Sequence, residues 1–126
     1  MQFAMNERLS PCYVYPKGYT YNMIELREYS TEVGKSPYSE WVASLDRSVA
    51  IRVTARLGRI QNGNFGDAKP IGDGVFELRF DFGPGYRVYF GKQGNTVVIL
   101  LCGGDKSTQS KDIEKAKILW SEHNQT

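Results

Sequence analysis

The sequence predicts an α+β domain: a small antiparallel sheet with an N-terminal helical hairpin and a C-terminal helix packed on it. Three observations lead there. Residues 75–82 (VFELRFDF) and 86–90 (YRVYF) alternate apolar and polar side chains around a GPG turn, as two half-buried strands of a hairpin do. Residues 96–102 (TVVILLC) are apolar throughout, the pattern of a central strand covered on both faces. Residues 36–61 instead space their apolar side chains three and four apart, the helical period.

Each element has its own signals. Residues 1–22 show no clean period and read as an N-terminal extension, with the compact domain over 23–126. Residues 22–29 (NMIELREY) alternate roughly and predict a first strand. Ser36-Pro37 is an N-cap with proline at the first helical position, and Tyr38, Trp41, Val42 and Leu45 then share one face. Asp46 or Ser48 can cap a second helix with Val49, Val53, Leu57 and Ile60 inward, ended by Asn62-Gly63. Around Lys69–Gly72 there is room for one more short strand. Gly94-Asn95 turns the chain into 96–102, and Ser110 can cap a last helix whose inner side is Ile113, Ala116, Leu119 and Trp120. Strands joined by short turns are antiparallel, which gives the sheet its expected sense, with the helices on one face.

Bulk composition excludes several classes. A chain of 126 residues forms one domain with one core. No apolar run reaches the ~18–20 residues that span a bilayer, so no membrane association is expected. Cys12 and Cys102 do not make a disulfide framework, and the protein reads as cytoplasmic with reduced thiols, Cys102 being a core residue. His123 is the single histidine, which leaves no histidine acid–base pair, and neither a metal nor a cofactor is expected. With 16 basic against 14 acidic residues, the net charge of +2 says little about nucleic acid by itself. Only the distribution of the charge can.

That distribution is uneven. If Phe82 lies opposite Tyr86, then Asp81 faces Arg87 and Arg79 faces Tyr89, with Cβ atoms ~5 Å apart on one face. Lys106, in the loop after the third apolar strand, falls near the same end. Two readings stay open. Asp81–Arg87 is then a surface ion pair worth ~0.2–1 kcal/mol, with Tyr89 covering the sheet. Alternatively, the face is a phosphate-binding surface of planar guanidinium groups on rigid strands, with an aromatic ring to stack on a base. Arg52, Arg56 and Arg59 flank the apolar stripe of the second helix, as either a solvated face or a second contact surface. The glycines of 63–67 and 103–107 fit neither a P-loop nor a dinucleotide fingerprint and read as turns.

The combination of RLGRIQNGNFGDAKPIGDGVFELR, GPGYRVYF and LLCGGDKSTQSKDIEKA resembles the RelE/ParE toxin superfamily, and within it the HigB-like, phage-derived addiction-module killer proteins. The resemblance covers about residues 23–123. It implies a RelE-like fold and the toxin of a type II toxin–antitoxin pair, an endoribonuclease that cuts mRNA on the ribosome and inhibits translation. It also implies a cognate antitoxin, often a helix-turn-helix protein. Arg87 matches the arginine of the family's G-Y-R strand, Arg79 a basic residue of the strand before it, and Lys106 the basic residue after the glycine loop. Where RelE has a tyrosine at the start of its last helix, this sequence has Asp112; Tyr89 is expected on the same face. The catalytic set implied is therefore Arg87, Lys106, Arg79 and Tyr89, with Arg52, Arg56, Arg59, Lys69 and Gln109 meeting RNA or ribosome. Two other readings remain: a ParE-like inhibitor of DNA gyrase without nuclease activity, and a non-toxic interaction protein of the same fold.

RNA cleavage needs no histidine. The 2′ oxygen attacks the adjacent phosphorus, the 5′ oxygen leaves, and charge builds on the phosphoryl oxygens. Arg87 and Lys106 suit the stabilisation of that charge, Arg79 a neighbouring phosphate, and Tyr89 a base.

Overall fold

The computed structural model describes residues 23–125. The expected 1–22 extension lies outside the described residues. In chain order the elements are β1 (Glu25–Glu28), α1 (Pro37–Ala43), α2 (Arg47–Gln61), β2 (Ala68–Gly72), β3 (Val75–Arg79), β4 (Arg87–Gln93), β5 (Val97–Gly104), a 3-10 turn (Lys106–Thr108) and α3 (Gln109–Asn124). The α+β class, the helical hairpin, the C-terminal helix and the extra strand at 68–72 stand as expected.

Local signals work where the chain decides alone. The Ser36 hydroxyl accepts from the Ser39 N–H at 3.1 Å, capping α1 above Pro37. Asp46 precedes α2 without a side-chain cap bond, and Gly63 turns out of its far end at φ 86°. The last helix starts one residue before Ser110. Asp105 caps the 3-10 turn by accepting from the Ser107 N–H at 2.8 Å, and that turn runs directly into α3.

The sheet order is β1-β5-β4-β3-β2. Strands β2 to β5 are antiparallel in sequence, as their short connections require. β1 is the exception: it pairs with β5 in parallel, Glu25 opposite Val97. Two helices separate β1 from the rest, and a long crossover permits that sense. The sheet is therefore mixed.

Helices cover both faces rather than one. Phe76, Leu78, Val88, Phe90, Val98 and Leu100 pack against Tyr38 of α1 and Val53, Leu57 and Ile60 of α2. Val75, Tyr89, Ile99, Leu101 and Cys102 pack against Ala116, Leu119 and Trp120 of α3. Trp120 thus belongs to a second core layer, not to the layer of Trp41 and Leu57. The register of β5 slips between its pairings Leu100–Phe90 and Cys102–Tyr89, so Leu101 and Cys102 both join the α3 layer.

Trp120 fits because Gly91 has no side chain: a Cβ there would overlap the indole. Gly91→Ala is expected to destabilise the fold by about 1–3 kcal/mol through overpacking, read as a lower urea midpoint. An unchanged midpoint would show that the indole does not rest on β4.

Candidate functional site

The site lies where β3 ends and β4 begins. The expected register is corrected by two residues: Arg79 faces Arg87, Glu77 faces Tyr89, and Phe80 donates its N–H to the Tyr86 carbonyl beyond the ladder. The rings explain the wider loop. Phe82 and Tyr86 leave the ladder to pack on each other (centroids 5.5 Å apart), Tyr86 on Trp41 (6.3 Å) and Phe82 on Phe80 (6.0 Å). Gly83 and Gly85 turn the loop at φ 62° and 81°. A slip of two keeps every side chain on its expected face but changes its partner. The Asp81–Arg87 pair does not form.

Two cross-strand rows result on the α3 side of the sheet. One runs Arg79–Arg87–Gly104, the other Lys69–Glu77–Tyr89–Cys102. Glu77 is the centre of the second row and was not singled out from the sequence, where it reads as one polar residue of an alternating strand. Its carboxylate is 0% exposed. Oε2 accepts from the Tyr89 hydroxyl at 3.0 Å and from Gln109 Nε2 at 2.8 Å, while Oε1 accepts from Arg79 Nε at 3.3 Å. Arg87 Nε is 3.9 Å from Oε2. Burial pushes the Glu77 pKa up, but the hydrogen bonds from Gln109, Tyr89 and Arg79 and the charge of Arg87 outweigh it, leaving the group below the usual carboxylate range.

These contacts correct several expectations. Tyr89 shares the face of the arginines but lies under α3 with no exposed surface, so its ring does not offer a base a stacking platform. Burial and the charge of Glu77 hold its hydroxyl well above the ordinary range for tyrosine. Gln109 points at Glu77 rather than outward. Arg87 is 8% exposed and its buried Nε has no hydrogen-bond partner. Lys69 is exposed on the edge strand, in cross-strand register with Glu77. Lys106 is exposed and meets the 83–85 loop, where its N–H donates to the Pro84 carbonyl at 3.3 Å and its Cβ lies against Gly85. Arg87 pairs with Gly104, two residues before Lys106, so both cations belong to one end of the sheet.

Gly104 also makes room for Asp112, whose carboxylate occupies the space a Cβ would need and accepts from the Thr108 hydroxyl. Cys102 is buried in the α3 layer, where desolvation pushes its thiol up to about 12, the opposite of an activated nucleophile. His123 stacks on Trp120 and lies 2.9 Å from Gln93. Gln93 ends β4, about 20 Å along the strand from Arg87.

A groove of about 430 Å³ adjoins this end on the α2 side. Arg52, Arg56, Arg59 and Arg79 line it with Asp67, Asp81, Phe80 and Phe82. Arg52 and Arg56 are held in place. The Arg52 guanidinium stands 3.6 Å from the Phe82 ring centroid, and Arg56 donates to the Phe65 carbonyl at 3.1 Å. Burial and the nearby Arg59 charge lower the Arg56 pKa. Arg79 belongs to both the groove and the Glu77 cluster, so it links the helix arginines to the cluster that holds Arg87, groups separate in sequence. Phe82 was expected as an inward strand residue; the wider loop instead places it in the groove wall.

Among the described residues no group of three or more His, Cys, Asp or Glu side chains could hold a metal ion. None of the helices described is long and apolar enough to cross a membrane.

The family described as phage derived protein Gp49-like matches residues 40–121, from α1 through most of α3. An uncharacterized protein of Haemophilus influenzae (strain ATCC 51907 / DSM 11121 / KW20 / Rd) is 54% identical over 86 residues, covering 68% of this chain and 87% of its own. The matched segment holds every arginine of the groove and of the strand pair. The chain belongs to the Gp49-like family of phage-derived proteins, a toxin-like family in the addiction-module group.

Proposed function

We propose that this protein is the toxin of a type II toxin–antitoxin pair and that it cleaves mRNA on the ribosome, inhibiting translation in the cytoplasm. The observation that carries the reading is the place of Arg79, which lines the α2 groove and shares Glu77 with Arg87. A groove of fixed guanidinium groups suits successive phosphates of a single strand. Arg87, with Lys106 beside the same loop, suits the charge that develops on the scissile phosphate when the 2′ oxygen attacks. The products are a 2′,3′-cyclic phosphate and a 5′ hydroxyl, and the reaction needs neither metal nor histidine. Among the described residues no strong base stands free at this end, so positioning has a large share of the work, which agrees with a ribosome that presents the mRNA already bent. A cognate antitoxin with an acidic segment would cover the Arg79/Arg87/Lys106 end, and its binding would weaken with salt.

The test is induced expression followed by mapping of 5′ ends on translated and untranslated copies of one mRNA. Cuts confined to the translated copy are expected. Growth arrest with intact mRNA and cleaved or unsupercoiled plasmid DNA would replace this reading with gyrase inhibition. No arrest at all would leave an interaction protein of the same fold.

A further inference from the structure

Arg79 and Arg87 face each other across two hydrogen-bonded strands. Like charges in directly opposite positions repel, with Cβ atoms about 5 Å apart. Both side chains are on the α3 side, and Arg87 is nearly buried, so water does little to screen the repulsion. The group that lies between them is Glu77, one cross-strand row away. It touches Arg79 Nε at 3.3 Å and lies 3.9 Å from Arg87 Nε. Both contacts are to Nε, the inner nitrogen of each guanidinium.

Glu77 is itself held from two sides. The Tyr89 hydroxyl comes from the neighbouring strand and Gln109 Nε2 from the first residue of α3. Both donate to Oε2, leaving Oε1 to Arg79. A carboxylate with no exposed surface, fixed by two neutral donors, cannot rotate to follow a moving arginine. Its orientation is set by the fold.

We infer that Glu77 is the positioning residue of the site: with Tyr89 and Gln109 it fixes the Arg79 and Arg87 guanidinium groups on adjacent strands so that their outer nitrogens are presented together to a phosphate-bearing strand. Tyr89 and Gln109 then act through Glu77 and touch no RNA. The inference deepens the endoribonuclease reading, on which its consequence for cleavage rests, while the fixing of the arginines does not depend on that activity.

The experiment records the arginine side-chain Nε–Hε signals by 15N NMR in the full chain, alongside cleavage of a translated mRNA. In the native protein the Arg79 and Arg87 signals are expected to be dispersed and slow to exchange with water. Glu77→Gln, which keeps the shape and loses the charge, is expected to collapse both toward the position of a solvated arginine, Arg79 more than Arg87. Cleavage should fall about 10²-fold in the rate of the bound complex, with little change in KM, because the charge remains but its placement is lost. Tyr89→Phe and Gln109→Ala each remove one donor to Glu77 and are expected to produce smaller shifts of the same two signals. A folded Glu77→Gln protein with both signals unmoved overturns the inference. If Glu77→Gln does not fold, the two milder variants decide, and unmoved signals in both overturn it equally. Collapsed signals in a protein whose native form cuts no RNA would keep the positioning role and reject the nuclease reading.

Discussion

Arg87→Ala is expected to abolish growth arrest and to lower mRNA cleavage about 10²–10³-fold while leaving a folded protein. The size follows from what the side chain does: it brings a positive charge to the start of β4, beside the 83–85 loop that Lys106 meets. The sequence alone suggests an outward strand residue that is cheap to remove. At 8% exposure the side chain is packed, so truncation should also lower stability by about 1 kcal/mol. It should not do more, because Glu77 keeps Tyr89, Gln109 and Arg79 as partners and is not left as a bare buried charge. Arg87→Lys keeps a charge but not the planar fork and should fall between the two. Circular dichroism and cleavage measured on the same preparations check this. A folded Arg87→Ala protein that still arrests growth would remove Arg87 from the chemistry.

Phe90→Ala is expected to cost about 3–5 kcal/mol. Phe90 has no exposed surface and sits on β4, with β3 and β5 on either side. Its ring stacks on Phe76 (centroids 5.4 Å apart, 13° between planes) and on Phe65 (5.9 Å, 27°). Truncation removes the middle of that stack and leaves a cavity beneath α2 that the sheet backbone cannot close. Against a total stability of about 5–15 kcal/mol this is a large share, and most of the protein should unfold well below the native melting temperature. Phe82→Ala, at the groove wall, should cost far less stability, since that ring is only half-buried. It would instead release Arg52, and RNA binding should weaken. Thermal unfolding of the two variants side by side checks the contrast; equal losses would contradict the layering of the two rings.

Much of the fold was legible because local rules decide it. The period of Val49, Val53, Leu57 and Ile60 makes α2 whatever it packs on, and Ser36-Pro37 starts α1 by its own hydrogen bonding. Alternation in VFELR and YRVYF assigns each residue to a face, and face survives a slip of two. So Arg79, Arg87, Lys106 and Arg52 were recognisable as candidate residues from residue type and spacing, with their roles supplied by family resemblance.

From residue order alone follow the helices and strands to within a few residues, the face each side chain of the β3 and β4 ladder takes, and the family the chain resembles. Three matters were decided only in three dimensions. The register of the hairpin depends on Phe82 and Tyr86 finding Trp41 and Phe80, ring contacts invisible to a two-residue period. The covering of the second face depends on where α3 returns, and that turned Tyr89 from a surface ring into a buried donor and moved Trp120 into a separate layer. The role of Glu77 depends on both, because a glutamate in an alternating strand is ordinarily solvated. Desolvation by α3, together with two arginines brought opposite each other by the register, makes this one a buried charge that needs its partners. Periodicity reports the face of each side chain; only packing reports what lies above it.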